Sequence, residues 1–309
     1  MKKWQKLLML ASLTLGFTAC NQTTQTSSSE STTASTEEFL IEEVQWPLYT
    51  ITDEAGNHSY LLGSIHVGEE EMYPFPTEIT EAVTTSDVVI SEINFESMNT
   101  PTAAALSQRA IVKEPHVLTD LSKKDKERLA EKLDSYNLSL NNIEGMNYFG
   151  LTTMLQSKYS GIQEVNNGVD MQIAKLVSKN GIENIGFETI GQQYDIINQY
   201  YDDYLTTADD WIGELPDLKT AKSELQELLQ YYCEGKIADN FDELFLEEEE
   251  DNDIMLAGRN HDWLQQLKTL LPEEKQYFIV VGAGHLYGEE GLIALLQAEN
   301  YQVEQVEFE

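Results

Sequence analysis

Residues 277–285 read Tyr-Phe-Ile-Val-Val-Gly-Ala-Gly-His and predict the central strand of the fold. The first five residues of this stretch are apolar without alternation, which is typical of a central strand covered on both faces. The histidine that ends the stretch stands three positions after Gly282. Residues 60–66, Tyr-Leu-Leu-Gly-Ser-Ile-His, repeat the arrangement, with the histidine three positions after Gly63. Two predicted strands therefore end in the same Gly-x-x-His turn.

Six apolar runs rich in β-forming residues predict strands, and long helical patterns separate them. The predicted strands are Trp46–Thr52, Tyr60–Ile65, Val88–Ile93, Ile182–Phe187, Tyr277–Val281 and Val303–Phe308. The helical patterns include Lys123–Tyr136, Val169–Asn180, Lys219–Cys233 and Asp253–Leu271. Strands separated by helices predict an α/β fold with a mainly parallel central sheet flanked by helices. Residues 95–165 and 190–270 predict a largely helical middle insertion.

The two Gly-x-x-His turns lie where α/β proteins bind ligands. In open α/β sheets, the ligand occupies a crevice outside the carboxyl ends of the strands. Gly63 and Gly282 allow a backbone or a ligand to approach closely, and histidine supplies a neutral nitrogen ligand or a titratable acid or base. The alternative for His66 and His285 is structural, because a histidine after a strand can cap the next helix or bond a carbonyl.

Further motifs accompany these turns in a fixed order. They are residues 60–68 (Tyr-Leu-Leu-Gly-Ser-Ile-His-Val-Gly), 73–76 (Tyr-Pro-Phe-Pro), 86–92 (Ser-Asp-Val-Val-Ile-Ser-Glu), 168–170 (Gly-Val-Asp), 186–189 (Gly-Phe-Glu-Thr), 259–260 (Arg-Asn) and 281–286 (Val-Gly-Ala-Gly-His-Leu) with Gly288. In these motifs the chain resembles the TraB/GumN family, which is related to Tiki-type metalloproteases and more distantly to ChaN-like and erythromycin-esterase-like proteins. The resemblance covers roughly residues 43–309.

The resemblance implies a site built from His66, Glu92, Glu188 and His285, with Arg259 close by. The strand pattern agrees, because Glu92 and Glu188 each end an apolar run and so reach the same sheet edge. Two imidazoles and two carboxylates in one crevice suit a divalent metal such as manganese, cobalt, iron or zinc. A metal there activates water and polarises a carbonyl, and a carboxylate that is not bound to metal, such as Glu92, serves as general base.

Arg259 lies at the edge of the apolar face of the helix predicted over Asp253–Leu271, and Asn260 lies on that face. Inward-pointing polar side chains need partners. Two roles are open for Arg259: it neutralises Glu92 or Glu188, or it grips a carboxylate or oxyanion of a substrate.

The first 20 residues have the pattern of an export signal. A basic start precedes the apolar run Leu7–Phe17, which is too short to span a bilayer. The following Thr-Ala-Cys resembles a bacterial lipobox, which predicts lipid attachment at Cys20 after removal of a lipoprotein signal peptide (1–20). The alternative is an ordinary signal peptide. Residues 21–40 are rich in Ser and Thr and predict a flexible tether, with the family-like domain over 41–309.

The chain is strongly acidic. Its formal net charge is −35, and removal of residues 1–20 takes away three lysines and no acids, which gives −38. Such a surface excludes nucleic acid as a partner and leaves membrane binding to the lipid. If Cys20 carries the lipid, Cys233 has no partner for a disulfide. The pattern around Cys233 favours a buried structural thiol over a catalytic one.

Three functions remain open. The first is a divalent-metal-dependent hydrolase, specifically a peptidase, exported and facing outside the cell. The second is a lipoprotein that binds or sequesters an extracellular peptide of the pheromone type, or another small ligand, without cleaving it. The third is haem or iron capture, as in ChaN-like proteins, although no haem motif is present. The aromatic series Tyr194, Tyr200, Tyr201, Tyr204 and Trp211 fits helix packing or a ligand groove.

Overall fold

A six-stranded mixed sheet forms the centre of the molecule. The strands are β1 (Leu48–Thr52), β2 (His58–Ser64), β3 (Val88–Ile93), β4 (Glu183–Glu188), β5 (Tyr277–Gly282) and β6 (Gln302–Gln305). Their order across the sheet is β4-β3-β5-β2-β1-β6. Strands β4, β3, β5 and β2 are mutually parallel, whereas β1 is antiparallel to both of its neighbours. The predicted α/β fold with a mainly parallel sheet is confirmed.

The computed structural model describes residue 41 and residues 43–207, 210–245 and 253–308. The predicted signal peptide (1–20), the lipid attachment site Cys20 and the tether (21–40) lie outside the described residues. In the described part of the chain, no helix combines the length and the apolar character that crossing a membrane requires.

Thirteen α-helices are described around the sheet. They are α1 (Thr77–Thr85), α2 (Phe95–Met98), α3 (Pro101–Ile111), α4 (Lys123–Asp134), α5 (Tyr148–Tyr159), α6 (Ile162–Asn166), α7 (Val169–Asn180), α8 (Ile190–Thr207), α9 (Trp211–Glu214), α10 (Leu218–Cys233), α11 (Phe241–Phe245), α12 (Gly258–Leu270) and α13 (Leu292–Ala298). A π-helical turn over Asp253–Ala257 precedes α12, and short 3-10 turns lie at Glu70–Met72, Leu140–Ile143 and Ala283–His285.

Both faces of the central strand β5 are buried, as its unbroken apolar run predicts. Phe278 and Val280 pack into a core shared with α1, α7, α10 and α11. Ile279 and Val281 pack on the other face, against α12 and α13. Successive side chains of a strand point to opposite faces, so a strand covered on both sides is apolar at consecutive positions rather than at alternate ones.

The helical middle has a third core of its own, separate from the two faces of the sheet. Tyr148 packs against Tyr201 and Trp211, with ring centroids 5.3 and 5.4 Å apart. The tyrosines at 194, 200, 201 and 204 are buried, and Trp211 is half-buried. The aromatic series therefore packs the helices together.

The topology brings the two Gly-x-x-His turns side by side. Strand β5 lies between β2 and β3, and Ser64 at the end of β2 pairs with Gly282 at the end of β5. The parallel strands β3 and β4 end at the same edge, where Ile93 pairs with Glu188. All the predicted site residues therefore come from one edge of the sheet or from the helix α12 packed beside it.

Candidate active site

Gly282 lies at the centre of the site. A Cβ atom added to Gly282 would lie 3.3 Å from Glu92 Oε1, 3.7 Å from His285 Cδ2 and 4.0 Å from His66 Nε2. Three of the predicted site residues thus surround one backbone position. Gly63 was also predicted to allow a close approach, and in the structure it lets the two turns pack together. A Cβ atom at Gly63 would contact the backbone and the side chain of Ala283.

His66 is held by a carboxylate that the start of α7 supplies. The His66 Nδ1 atom lies 2.9 Å from Asp170 Oδ2. Helix α7 docks directly on this turn, since the Val169 amide donates to the Ile65 carbonyl at 2.8 Å, and any side chain at Gly168 would collide with the His66 carbonyl. When Nδ1 of His66 carries the proton and donates it to Asp170, the lone pair of the neutral ring is on Nε2. The Nε2 atom lies on the side of Gly282. Burial lowers the pKa of His66, but Asp170 and Glu92 together outweigh burial, and the pKa is raised overall.

His285 is held by an amide. Its Nδ1 atom lies 2.7 Å from Asn260 Oδ1. The Asn260 amide nitrogen donates to the carbonyls of His285 and Glu290, so the Asn260 oxygen must be the acceptor for Nδ1–H. The Nε2 lone pair of His285 therefore faces the site. Burial, together with the nearby Arg259 charge, lowers the pKa of His285 to about 3, so the 3.9 Å approach to Glu92 is not an ion pair at neutral pH.

Glu92 is a buried carboxylate whose two oxygens accept hydrogen bonds from different partners. Its Oε1 atom accepts the Gly282 amide at 2.9 Å, and Oε2 accepts from Arg259 at 2.7 Å and from the Gln193 side chain at 3.1 Å. Burial opposes its ionisation, but Arg259 and then the two histidines outweigh burial and lower the pKa of Glu92 to about 2. Glu92 is therefore a carboxylate at neutral pH, with Oε1 on the side of His66.

Glu188 is bound to Arg259 rather than exposed to the site. Both of its oxygens accept from the guanidinium, Oε1 from Nε at 2.7 Å and Oε2 from an Nη at 3.0 Å. The indole of Trp263 donates to Oε1 at 3.0 Å. Burial raises the pKa of Glu188 despite the opposing charge of Arg259. This bidentate pairing occupies the oxygens that the sequence assigned to a metal.

Arg259 lies between the expected ligands, and only 4% of it is exposed. Its guanidinium contacts Glu92 and Glu188, lies 3.1 Å from His285 Nε2 and stacks over the Trp263 ring at 4.6 Å from the centroid. Of the two roles open from the sequence, the contacts favour neutralisation of the two carboxylates. Arg259 is therefore a positioning residue.

An apolar wall faces these polar groups across a cleft. Helices α10 and α11, with the loop between them, supply Leu228, Tyr232, Ile237 and Phe245, and the Tyr232 hydroxyl donates to the Gly63 carbonyl at 2.7 Å. The cleft is narrow, with a cavity volume of about 20 Å³, which is room for about one water molecule. An apolar wall opposite a few convergent polar groups is the usual composition of a small-molecule or peptide site.

The donor set agrees with a metal site only in part. No three His, Cys, Asp or Glu side chains of the described residues are grouped closely enough to hold a metal ion as they stand. His66 has the chemistry of a ligand as it stands, because its Nδ1 atom is tied to Asp170 and its Nε2 atom faces the site. His285 Nε2 and Glu92 are donors of the right kind as well, but each already accepts from Arg259. Glu188 does not fit, since both of its oxygens accept from Arg259.

Three residues of this network have no role that the sequence predicts. Asp170 could have been noticed in the sequence, because it is an acidic residue in the first turn of a predicted helix, directly after the Gly-Val motif at 168–169. Asn260 was harder to notice, since its only distinguishing feature is that it is a polar residue on an apolar helix face. Gln193, which is 1% exposed and bonds Glu92, gave no such signal, because one glutamine in a polar helix resembles any other.

The remaining cysteine and histidines lie away from this chemistry. Cys233 is buried and unbridged, and burial raises the pKa of its thiol to about 12, as expected of a structural thiol. His58 and His261 are exposed, and His116 is half-buried at the surface, where it bonds a backbone carbonyl of its own loop. His261 pairs with Glu290 outside the cleft.

Comparison with known proteins gives a family and two relatives. The sequence profile of the TraB/PrgY/gumN family matches residues 47–305. The uncharacterized protein YbaP of Shigella flexneri is 24% identical over 262 residues, which are 82% of this chain and 92% of YbaP. YbaP of Escherichia coli strain K12 shows the same identity and coverage. The region that the family profile matches contains both Gly-x-x-His turns, Glu92, Glu188 and Arg259.

Proposed function

The chain belongs to the TraB/PrgY/gumN family, and on this premise we propose that it is a hydrolase that cleaves peptides at the Gly282 cleft with a divalent metal as cofactor. The observation that carries the proposal is the convergence of His66 Nε2 and Glu92 Oε1 on Gly282. A basic nitrogen and an ionised carboxylate facing one small space are the groups that deprotonate and orient an attacking water.

His66 and Asp170 act as a pair in this proposal. Asp170 fixes the tautomer and the orientation of the ring, so that Nε2 can accept a proton from water or bind a metal. In the metal-free site Nε2 is free to take a proton, and the carboxylate of Asp170 stabilises the resulting imidazolium. With a metal on Nε2, Asp170 would instead make the ring a more basic ligand, and the proton of the water would pass to Glu92. Glu92, kept ionised by Arg259, supplies a second acceptor for the same water. The apolar wall of α10 and α11 excludes bulk water from the reacting groups.

His66, Glu92 and His285 would hold the metal. When bound, it would lower the pKa of its water ligand and polarise the scissile carbonyl. Nitrogen and carboxylate donors suit manganese, cobalt, iron or zinc. Glu188 supports the site through Arg259 instead of binding the metal, which differs from the four-ligand expectation drawn from the sequence.

The proposed location is the outer face of a cell membrane. Export by the signal at residues 1–20 and lipid attachment at Cys20 would place the cleft outside the cell, where peptides are available as substrates. Metabolic labelling of the expressing cells with a fatty-acid analogue, compared between the natural chain and Cys20→Ala, tests this. Label that persists in Cys20→Ala would contradict it.

Peptide cleavage by the purified full-length chain in detergent tests the activity. The chain is incubated with manganese and a defined peptide library, and products are identified by mass. We expect cleavage that His66→Gln and Glu92→Gln reduce at least about 100-fold, the usual scale for a general base. His261→Gln, a change at an exposed histidine, is the matched control and keeps full activity.

A different result favours the binding function. If peptides stay intact with the natural chain and instead co-elute with it, the protein captures peptides without hydrolysis. In that case His66→Gln still tests the cleft, because it would weaken capture while His261→Gln would not.

A further inference from the structure

We propose that Arg259 is the resident cation of this site and that a divalent metal must compete with it for His285 and Glu92. This inference rests on the metal site of the proposed function. It assigns to Arg259 control over whether the metal binds.

The first observation is that every N–H of the guanidinium faces a protein acceptor. Arginine has five such donors. The Nε atom and one Nη atom donate to the two oxygens of Glu188, and the same Nη donates to Glu92. The other Nη faces the Met255 carbonyl at 3.3 Å and His285 Nε2 at 3.1 Å. Arg259 thus has no N–H donor left for a substrate. Its role is therefore to bind the protein groups that surround it.

The second observation is that these partners are the expected metal ligands. Arg259 contacts Glu92, Glu188 and His285, which are three of the four side chains that the sequence assigns to the metal. His66 is the exception and bonds Asp170 instead. A lone pair on His285 Nε2 that accepts from the guanidinium is not free to bind a metal. The positive charge therefore already occupies the position from which a metal would bind these groups.

The third observation is the balance of charge. Glu92, which is buried, and Glu188, whose side chain is 9% exposed, surround one guanidinium, and a divalent ion brought beside that guanidinium meets like charge at short range. Without the guanidinium, the same two carboxylates and the freed His285 nitrogen would be an uncompensated anionic pocket. Removal of Arg259 should accordingly strengthen metal binding, whereas removal of a residue that merely supports a metal site would weaken binding.

Calorimetric titration of manganese into the full-length chain in detergent tests this. We expect Arg259→Met to bind manganese at least tenfold more tightly than the natural chain. Because Arg259→Met leaves two carboxylates without their partner and so destabilises the fold, the double variant Arg259→Met with Glu188→Gln is measured as well. The glutamine introduced there is uncharged, and its amide oxygen still accepts from the Trp263 indole. Arg128→Met, which removes a half-buried arginine paired with Asp210 away from the cleft, is the control and leaves the affinity unchanged.

Equal or weaker manganese affinity in both Arg259 variants overturns the inference. Peptide cleavage by the natural chain in excess chelator separates this from the proposed function. One outcome is that Arg259→Met binds manganese while the natural chain binds none and still cleaves peptides. The inference about Arg259 then holds, and the proposal that cleavage needs a metal is rejected. If no chain binds manganese, the inference falls, and cleavage alone then decides the proposed hydrolase.

Discussion

The two Gly-x-x-His turns have the same spacing and lie on adjacent strands, but they place their histidines in opposite electrostatic surroundings. His66 bonds a carboxylate, Asp170, which raises its pKa. His285 bonds an amide, Asn260, and faces the guanidinium of Arg259, and its pKa is lowered to about 3. Both rings are buried, so burial acts in the same direction on each. The difference comes from the partners that the neighbouring helices supply.

This comparison separates two tasks within one repeated motif. The first turn presents an imidazole that can take up a proton, which a general base requires. The second presents an imidazole that stays neutral over the physiological range, so that its Nε2 atom keeps a lone pair that accepts from Arg259. A repeated sequence motif therefore does not imply two equivalent residues, because helix α7 and helix α12 arrive with different side chains.

The largest expected effect is on the acid stability of the metal-free protein. The ordinary pKa of histidine is 6.5, and that of His285 in the fold is about 3, so only the unfolded chain takes up this proton between those values. Stability falls with decreasing pH by up to about 1.4 kcal/mol per pH unit through this group. Between about pH 7 and about pH 4.5 this group costs the natural chain about 2.5 kcal/mol of unfolding free energy, a loss that His285→Gln should not show. Urea unfolding in chelator at both pH values measures the difference.

His66→Gln is the matched variant, and its pH effect has the opposite sign. A raised pKa means that the folded state keeps a proton above pH 6.5, so the contribution of His66 is fully present below that pH and is lost as pH rises through its folded pKa. The variant should therefore change the alkaline side of the profile and leave the acid slope intact. Identical profiles for the two variants would mean that the turns are electrostatically equivalent.

The second effect comes from exchanging the carboxylate behind the first turn. Asp170→Asn keeps the shape of the partner but removes its charge, so we expect the pKa of His66 to fall and the free energy of unfolding to drop by about 1.5 kcal/mol at low pH. NMR of the imidazole ring protons across a pH series measures the pKa values of both histidines. Asn260→Asp is the reciprocal change and should raise the pKa of His285. A His66 pKa that does not respond to Asp170→Asn would show that Asp170 is not its controlling partner.

The smallest effect distinguishes the glycines of the two turns. A methyl group on Gly63 would lie 2.9 Å from a methyl of Leu286 and 3.2 Å from Ala283 Cα, so Gly63→Ala should lower the unfolding free energy by about 1 kcal/mol. Gly282→Ala meets Glu92 at 3.3 Å and should cost less stability, but it fills the space between Glu92 and His66. Thermal unfolding and manganese titration of both variants test this. Unimpaired manganese binding by Gly282→Ala would argue against a site at Gly282.

The sequence predicted the sheet closely because the strands have strong local signals. The predicted Val88–Ile93 is the observed β3, and the predicted helix Val169–Asn180 is the observed α7, which ends at Gly181 with a positive φ of 66°. Unbroken apolar runs flanked by turns place the ends of the inner strands to within a residue or two. The edge strand β6 was predicted less well, because it ends at Gln305 and the prediction ran to Phe308. The order of the strands was less accessible, since the place of β5 between β2 and β3 depends on pairing between segments far apart in the chain.

The sequence predicted which residues lie at the candidate site, but not which of them bond to one another. His66, Glu92 and His285 surround Gly282, and the topology explains why, because parallel strands end at one edge. The partner of Glu188 could not be predicted from a strand end alone. Its two oxygens suit a metal and an arginine equally well until the position of α12 is known, and α12 places Arg259 against both of them.

The α/β fold, the two Gly-x-x-His turns and the acidic charge can all be predicted from the sequence, because they follow from local periodicity, spacing and composition. The partner of each buried polar group instead depends on how the helices pack. A buried charge or imidazole must satisfy its hydrogen bonds inside the protein, and the available acceptors come from helices distant in sequence. Asp170 for His66, Asn260 for His285 and Arg259 for both glutamates are choices of packing, and they give two turns of the same motif different chemistry.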